Sequence, residues 1–366
     1  MNNYSGGQMD MNYRSQMDLL QQLFSRPVGI TAVETFFYIL VVCTALVGNT
    51  AVIWVVFQTP KLRTIPNMFV VSLAISDILL PLLCGPQSIG VVIRGMWPYT
   101  TASCQFQGFF VIMLACVSLQ TMALVAANRY FCIVRNSNYK QLFTPKRTKI
   151  MVVLVWILAC SEPAIYLMSG KSYVFHPGKM FCFQENKVSF QSLLVYVYVG
   201  LPLGIIIFCY FRVFQTIREH NKATEYLHSS SLSPTSPPNP NSVETNANVQ
   251  SPKKDTTNGS IPNIIRSISI HSKPDKFTKK DIRVTKTLFL TIVGFLICWS
   301  PIMIIDFIDL GKGKASFPRE VYVIYLLLGN ISSTINPFIY GVMNPSFRTA
   351  YKRILRMDVE TSVETT

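Results

Sequence analysis

Seven long apolar segments divide this chain, and each is nearly free of ionised side chains. Five of them contain no charged residue: residues 35–60, 95–128, 188–211, 287–305 and 321–347. Residues 64–93 and 150–170 carry one acid each, Asp77 and Glu162. Because about 20 mostly apolar residues cross a bilayer core, and these segments are apolar on every face, the pattern predicts seven membrane-spanning helices. Buried helices of a soluble core would show runs nearer to about 10–14 residues.

The predicted fold is therefore an all-α membrane protein, a seven-transmembrane helix bundle. The expected regions are an N-terminal tail (1–30), spans one to five (31–218), a loop (219–280), spans six and seven (281–343) and a C-terminal tail (344–366). The loop is rich in Ser, Pro, Asn and Thr, so it is expected to be disordered. After the last span, residues 348–355 place apolar side chains three or four apart between bases, which predicts a short amphipathic helix on the membrane surface.

An apolar, basic chain leaves two classes of protein open, a membrane protein and a basic nucleic-acid binder, and the long apolar segments decide for the membrane protein. Only 14% of residues are charged, against about 25% in soluble proteins, and the net charge is +15. Of the 33 Lys and Arg residues, 24 fall on one set of alternate loops with the C-terminal tail. The rule that cytoplasmic loops are basic then places the N-terminus outside. The excess charge faces an anionic lipid bilayer, and nucleic acid is not an expected partner.

The cysteines and the missing enzyme motifs narrow the chemistry further. Cys104 and Cys182 alone among nine cysteines fall on the predicted outer side, where a disulfide between them is expected. Asn3 begins a glycosylation sequon on the same side, and no apolar signal segment precedes the first span. The four His residues are scattered in loops, and no HExxH, GxxxxGK[ST] or GxSxG motif occurs. Neither an enzyme nor a metal site built on histidines is predicted.

Polar residues within the spans are costly in a bilayer and usually functional. One set could gather around a water or a small cation, or simply hydrogen-bond between helices: Asp77, Ser118, Ser333 and Asn336. At the predicted inner ends of spans three and six, Arg129 and Asp281 are expected to form an ion pair. Proline interrupts spans five, six and seven, at Pro202, Pro301 and Pro337, and each frees a carbonyl and permits a kink.

In order along the seven spans, these residues resemble the motifs of rhodopsin-like (class A) G-protein-coupled receptors. The matching residues are Gly48-Asn49, Leu73-Ala74 with Asp77, Cys104, Asn128-Arg129-Tyr130, Trp156, Pro202 with Tyr210, Phe295 with Cys298-Trp299-Ser300-Pro301, and Asn336-Pro337-Phe338-Ile339-Tyr340. The resemblance implies a receptor of the plasma membrane. It also implies that a heterotrimeric G protein binds the inner face and that arrestin binds a phosphorylated loop or tail.

The resemblance also assigns roles to individual residues. Arg129, with Tyr130, would meet the G protein when helix six swings out, supported by Tyr210 and Tyr340. Trp299 would be the toggle beneath the ligand, with Phe295 transmitting its movement. The polar set around Asp77 would be a structural sodium site, weakened by Ser332 where many members carry Asn. Asn128 replaces the usual acid before the arginine, so Asp281 becomes its expected restraint and Asp281→Ala is expected to raise basal signalling.

Two residues that bind ligands in related receptor classes are absent from this chain, and their absence narrows the choice of ligand. Val111 stands where amine receptors carry an Asp, and Asn330 stands where opsins carry the retinal Lys. Residues 61–77 and 344–348 and the Asn-Arg-Tyr variant are similar to melatonin-type receptors, although Pro337 and Tyr166 depart from them. Asp306 and Glu162 lie near the outer ends of spans six and four, where they could meet a cationic ligand group. Asp306 could equally be a solvated acid at the loop edge.

The expected ligand is a melatonin-like indoleamine or a small neuropeptide, bound among Val111, Tyr166, Asp306 and Asn330. A seven-span transporter and a non-retinal orphan sensor are the alternative functions. No internal repeat of the kind typical of transporters is seen.

Overall fold

In the computed structural model, which describes residues 2–185, 190–231 and 278–353, the chain is a bundle of long helices. The helices are α1 (Asn2–Phe24), α2 (Val28–Gln58), α3 (Ile65–Leu83), α4 (Gly85–Arg94), α5 (Thr101–Ile133), α6 (Asn136–Leu142), α7 (Pro145–Met168), α8 (Phe190–Ser231), α9 (Lys279–Lys312), α10 (Arg319–Met343) and α11 (345–353). A 3-10 turn (Pro60–Leu62) and two short strands, β1 (Val174–His176) and β2 (Phe181–Phe183), complete the fold. Seven helical segments are long and apolar enough to span a membrane: α2, α3 with α4, α5, α7, α8, α9 and α10. The predicted seven-helix bundle is confirmed.

Proline acts differently in the spans from what the sequence suggested. Helices α8, α9 and α10 run without a break through Pro202, Pro301 and Pro337. The break falls in the second span, where α3 ends and α4 begins on either side of Cys84. Pro81 and Pro86 flank that residue, and each removes a backbone donor and crowds the preceding turn. Two prolines within one turn and a half therefore stop a helix that single prolines leave continuous.

Helix α5 lies at the centre of the bundle, against α3, α7, α8 and both strands. Its buried positions include Val117, which belongs to one apolar cluster, and Met122 and Ala126, which belong to another. Small residues bring other helices close to each other. A Cβ on Gly48 of α2 would lie 2.9 Å from Cγ of Pro337 in α10, so only glycine allows this approach.

The N-terminal region, expected as a tail, contains helix α1 packed against the bundle. Leu19 and Leu23 are buried beside Val91 and Val92 of α4. Gly95 permits this packing, because its φ is +72° and a Cβ there would lie 2.8 Å from the carbonyl oxygen of Leu23. The glycosylation candidate Asn3 lies in α1.

The predicted disordered loop, residues 219–280, is described only at its ends. Helix α8 continues through residues 219–231, because Glu219, Lys222, Ala223 and Glu225 are good helix formers and the first proline of the loop comes later. Residues 232–277 lie outside the described residues, as do the last residues of the tail, 354–366. The amphipathic segment after the last span is helical from 345 to 353, and it buries Phe347 and Ala350.

Candidate functional site

One end of the bundle is covered by a hairpin that is bonded to α5. Cys104 and Cys182 form the predicted disulfide, and strands β1 and β2 pair antiparallel beside it. The Gln107 side chain of α5 accepts a hydrogen bond from the Cys182 amide (2.9 Å) and donates to the carbonyl of Cys84. Gln105 exchanges two hydrogen bonds of 2.8 Å with the backbone of Tyr173. We call this the disulfide end of the bundle.

Beneath the hairpin is a cavity of about 390 Å³ with mostly apolar walls. Three of the four predicted pocket residues line it, namely Val111, Asp306 and Asn330. Tyr166 does not, because it packs against Tyr173 on the other side of the hairpin and donates to the carbonyl of Ser172. Its inclusion among the pocket residues was wrong. The predicted toggle Trp299 and its neighbour Phe295 also line the cavity, with ring centroids 5.3 Å apart.

Asp306 is neither solvated nor free, since it binds a lysine of its own chain. Only 7% of its surface is exposed, and its Oδ1 accepts from Nζ of Lys179 at 2.6 Å. Its Oδ2 accepts from the Tyr325 hydroxyl at 2.9 Å. Lys179 lies in the turn between β1 and β2 and is fully buried. Nothing in the local sequence distinguishes Lys179 from other loop lysines except its position three residues before Cys182.

A second buried acid lies one helical turn further along α9. Asp309 accepts from the Tyr322 hydroxyl (2.6 Å) and from the Ser316 amide (2.9 Å). The ring of His176 lies 5.3 Å from that of Tyr322, and its Nδ1 accepts from the Lys179 amide. Burial, reinforced by the nearby Lys179 charge, lowers the pKa of His176 well below its ordinary value. His176 is therefore neutral, as its acceptor role requires.

Midway along the bundle, the polar residues that were expected to hydrogen-bond to one another lie close together. Nδ2 of Asn336 donates to Asp77 at 2.7 Å, and Nδ2 of Asn49 donates to the Ser333 carbonyl at 2.8 Å. The Oδ1 atoms of Asn49 and Asn336 are buried and have no hydrogen-bond partner among the described residues. A carboxylate with orphaned amide oxygens nearby is a donor set that fits a hard cation such as sodium.

Two serines near that cluster have other partners. Ser118 shares a 3.0 Å hydrogen bond with Ser76, so its place in the sodium site depends on rotation of its hydroxyl. Ser332 accepts from Nε1 of Trp299 at 3.1 Å. The serine that replaces the expected Asn thus connects the floor of the cavity to α10.

The opposite end of the bundle, which we call the Arg129 end, carries no buried ion pair within the described residues. Arg129 is 2% exposed, and its Nε and Nη2 donate to Oδ1 of the adjacent Asn128. The expected Arg129–Asp281 pair is not formed. Asp281 instead accepts from the backbone amide and hydroxyl of Thr278, because it completes a capping box at the start of α9.

The remaining predicted switch residues are three tyrosines, each packed against a phenylalanine. Tyr210 is buried with no hydrogen-bond partner among the described residues, and its ring lies 5.1 Å from that of Phe289. Tyr340 is buried and stacks on Phe347 of α11. Tyr130 is half-buried against Phe208.

Known proteins share both this sequence pattern and this fold. The mouse 5-hydroxytryptamine receptor 1B is 28% identical over 335 residues, covering 87% of this chain and 85% of its own. The zebrafish melatonin receptor type 1A-A is 24% identical over 349 residues, covering 93% and 86%. Squid rhodopsin has a similar fold, with a TM-score of 0.68 at 20% identity over 91% of this chain and 87% of its own.

A family model described as "7 transmembrane receptor (rhodopsin family)" matches residues 48–340, which is most of the chain. That match begins at Gly48 and ends at Tyr340, the first and last of the ordered motifs. Its members are signalling receptors rather than enzymes. This multi-pass membrane protein therefore belongs to the rhodopsin family of seven-transmembrane receptors.

Proposed function

We propose that this chain is a plasma-membrane receptor that binds an extracellular ligand in the cavity at the disulfide end and activates a heterotrimeric G protein at the Arg129 end. The orientation follows from the basic loops on the Arg129 side, and it places the N-terminus outside. Activation would move α9 outward and uncover Arg129.

The observation that carries this proposal is a series of hydrogen bonds to α10 that runs from the cavity floor towards the Arg129 end. Trp299 on the cavity floor bonds Ser332 of α10 at 3.1 Å, and the next serine is bonded by Asn49. One turn along α10, Asn336 bonds Asp77. Tyr340, a further turn along, reaches the core beside Val125 of α5, one turn before Arg129. A ligand that moves Trp299 therefore acts on groups that lead to the arginine.

The cavity supports a small-molecule ligand. Its volume is at the lower end of the range of about 300–1,000 Å³ for small-molecule sites. A melatonin-like indoleamine fits that size better than a neuropeptide does. Val111 leaves α5 without an acid for a protonated amine, so similarity to a 5-hydroxytryptamine receptor does not carry over that receptor's ligand.

The test is G-protein activation in transfected cells, with and without an indoleamine panel. Arg129→Ala should abolish both basal and stimulated activation while surface expression is kept, because no other buried cation lies at that end of the described chain. Arg94→Ala, an exposed arginine at the disulfide end, is the control and should signal normally. Full activation by Arg129→Ala would refute the proposed coupling.

We infer that the cluster around Asp77 holds sodium, with Ser118, Ser333 and Asn336 as the other ligands. Sodium should then raise the melting temperature of the purified receptor relative to the same concentration of choline. Asp77→Asn should remove the difference, and a sodium effect that survives this change would exclude the site.

Arrestin recruitment through phosphorylated hydroxyls of the third loop or the tail belongs to the same proposal. Thr361, Ser362, Thr365 and Thr366 lie outside the described residues. Replacing all four with alanine should reduce arrestin recruitment, and so should deleting residues 232–270. Unchanged recruitment after both changes together would contradict this part of the proposal.

A further inference from the structure

The turn that carries Lys179 is built to hold this lysine inside the cavity. A Cβ on Gly178 would lie 2.6 Å from Cδ2 of Tyr322, so only glycine lets the turn descend this far. Met180 on the other side adopts a left-handed φ of 59°. Cys182 then fixes the strand to α5 through the disulfide. Lys179 is thus positioned by the backbone on both sides.

Both oxygens of Asp306 already accept a hydrogen bond from within the chain. Its Oδ1 binds Lys179 and its Oδ2 accepts from the Tyr325 hydroxyl. Asp309, the next acid on α9, is also occupied at both oxygens, by Ser316 and Tyr322. Both of these α9 acids are therefore occupied from within the chain, and Glu162, whose Oε2 has no hydrogen-bond partner among the described residues, is not one of the residues that line the cavity.

To reach Asp306, a protonated ligand amine would have to displace the ammonium of Lys179, which is tethered to the chain. Groups joined by a short connection act as if present at about millimolar concentration or more, so a micromolar amine is at a disadvantage of about a thousandfold. Lys179 would also give up its position 4.0 Å from the ring centroid of Phe183 and 5.1 Å from that of Tyr325. Both contacts favour the bound ammonium.

The groups that remain available favour an uncharged ligand. An ammonium has three N–H donors, and Lys179 gives one to Asp306, so the others can serve a hydrogen-bond acceptor. Elsewhere the wall is mainly apolar, with Val111, Phe181 and Ile302 among its residues. Glu185 also borders the cavity but is exposed, where water weakens its charge.

We propose that Lys179 is a built-in cation that occupies the place beside Asp306 where a protonated amine would bind. The receptor therefore selects an uncharged ligand, with an apolar body and a hydrogen-bond acceptor, over a protonated amine. This inference rests on the proposed role of the cavity as the ligand site. It assigns ligand selection to Lys179 and Asp306.

The test uses tryptamine and N-acetyltryptamine, which share the indole ring and differ in whether the nitrogen is a charged amine or a neutral amide. Binding to the purified full-length receptor is measured by the shift in melting temperature. The wild-type receptor should bind the amide at least about tenfold more tightly. Lys179→Met should reverse the preference, because Asp306 is then unpaired and attracts the amine. Lys171→Met, an exposed lysine of the same loop, should keep the wild-type preference.

Asp306→Asn keeps the experiment decisive should Lys179→Met fail to fold. It leaves the lysine in place without its acid, so the amide should still bind and the amine should bind more weakly than to wild type. The proposal is overturned if wild type prefers tryptamine, if either variant that folds keeps the wild-type ratio, or if neither probe binds at about 1 mM. Because binding is measured without a G protein, these outcomes are independent of the Arg129→Ala result.

Discussion

The two ends of the bundle bury their charges in different ways. At the disulfide end, Lys179 pairs with Asp306, and Glu34 pairs with both Arg26 and Arg319. At the Arg129 end, the described residues hold the buried arginine with a neutral amide, Asn128. Separating a buried ion pair by removing one partner costs about 3–5 kcal/mol, whereas a hydrogen bond contributes about 0.5–1.5 kcal/mol net, or up to about 3 when one partner is charged. The disulfide end is therefore expected to be rigid and the Arg129 end easier to open.

The largest effect is expected at Glu34 of α2, which binds Arg26 in the link between α1 and α2 and Arg319 of α10. Glu34→Ala would leave Arg26 and Arg319 buried without their shared acid and should lower the free energy of unfolding by about 3–5 kcal/mol. Glu320→Ala is the matched control, because Glu320 also contacts Arg319 but is 69% exposed, and it should cost under about 1 kcal/mol. Chemical denaturation of the purified receptor measures both. Equal losses would show that burial does not distinguish these pairs.

The next effect concerns the restraint on Arg129. Asn128→Asp should replace the amide acceptor with a carboxylate, so that Arg129 is held by an ion pair and therefore more firmly. Basal G-protein activation should fall about tenfold, which corresponds to about 1.4 kcal/mol. Asn128→Ala should raise it. If both variants show wild-type basal signalling, Asn128 does not restrain the arginine.

A pH-dependent effect is expected at the disulfide end. Since burial first and Lys179 second lower the pKa of His176 in the folded protein, the unfolded chain binds a proton that the folded one does not. Stability should therefore be full above about pH 6.5 and should fall below it, by up to about 1.4 kcal/mol per pH unit.

His176→Asn keeps an acceptor for the Lys179 amide without a titrating ring, and it should flatten this dependence. Tyr322, whose ring packs against that of His176, stays neutral in this range. Melting temperatures of both forms between pH 7.5 and 5 measure the difference, and parallel curves would assign the dependence to another group.

The smallest effect is expected at the start of α9. Asp281→Ala should cost about 1 kcal/mol through loss of the helix cap, and Thr278→Ala should cost about the same. Basal signalling should respond equally to the two changes. A rise in basal signalling that is specific to Asp281→Ala would instead support the ion pair between Asp281 and Arg129 that the sequence predicted.

The Asp281 prediction failed although the local signal was readable. Thr278-Lys279-Lys280-Asp281 has the spacing of a capping box, and a bond within one helical turn requires less ordering than one across two helices. Val111, Asp306 and Asn330 were placed correctly at the cavity, because helical periodicity and the ordered motifs give their depth and facing. Tyr166 was misplaced because its partner is the hairpin, whose path the sequence does not show.

Hydropathy and motif order alone determined the seven spans, the disulfide and the family, because a bilayer requires long apolar helices whatever their neighbours are. Tertiary structure alone decided which charges meet. Lys179 and Asp306 are 127 positions apart and come together only where the disulfide and Gly178 direct the hairpin turn into the bundle. The energy of an ion pair depends on the distance between its charges and on their burial, and neither is encoded in local sequence.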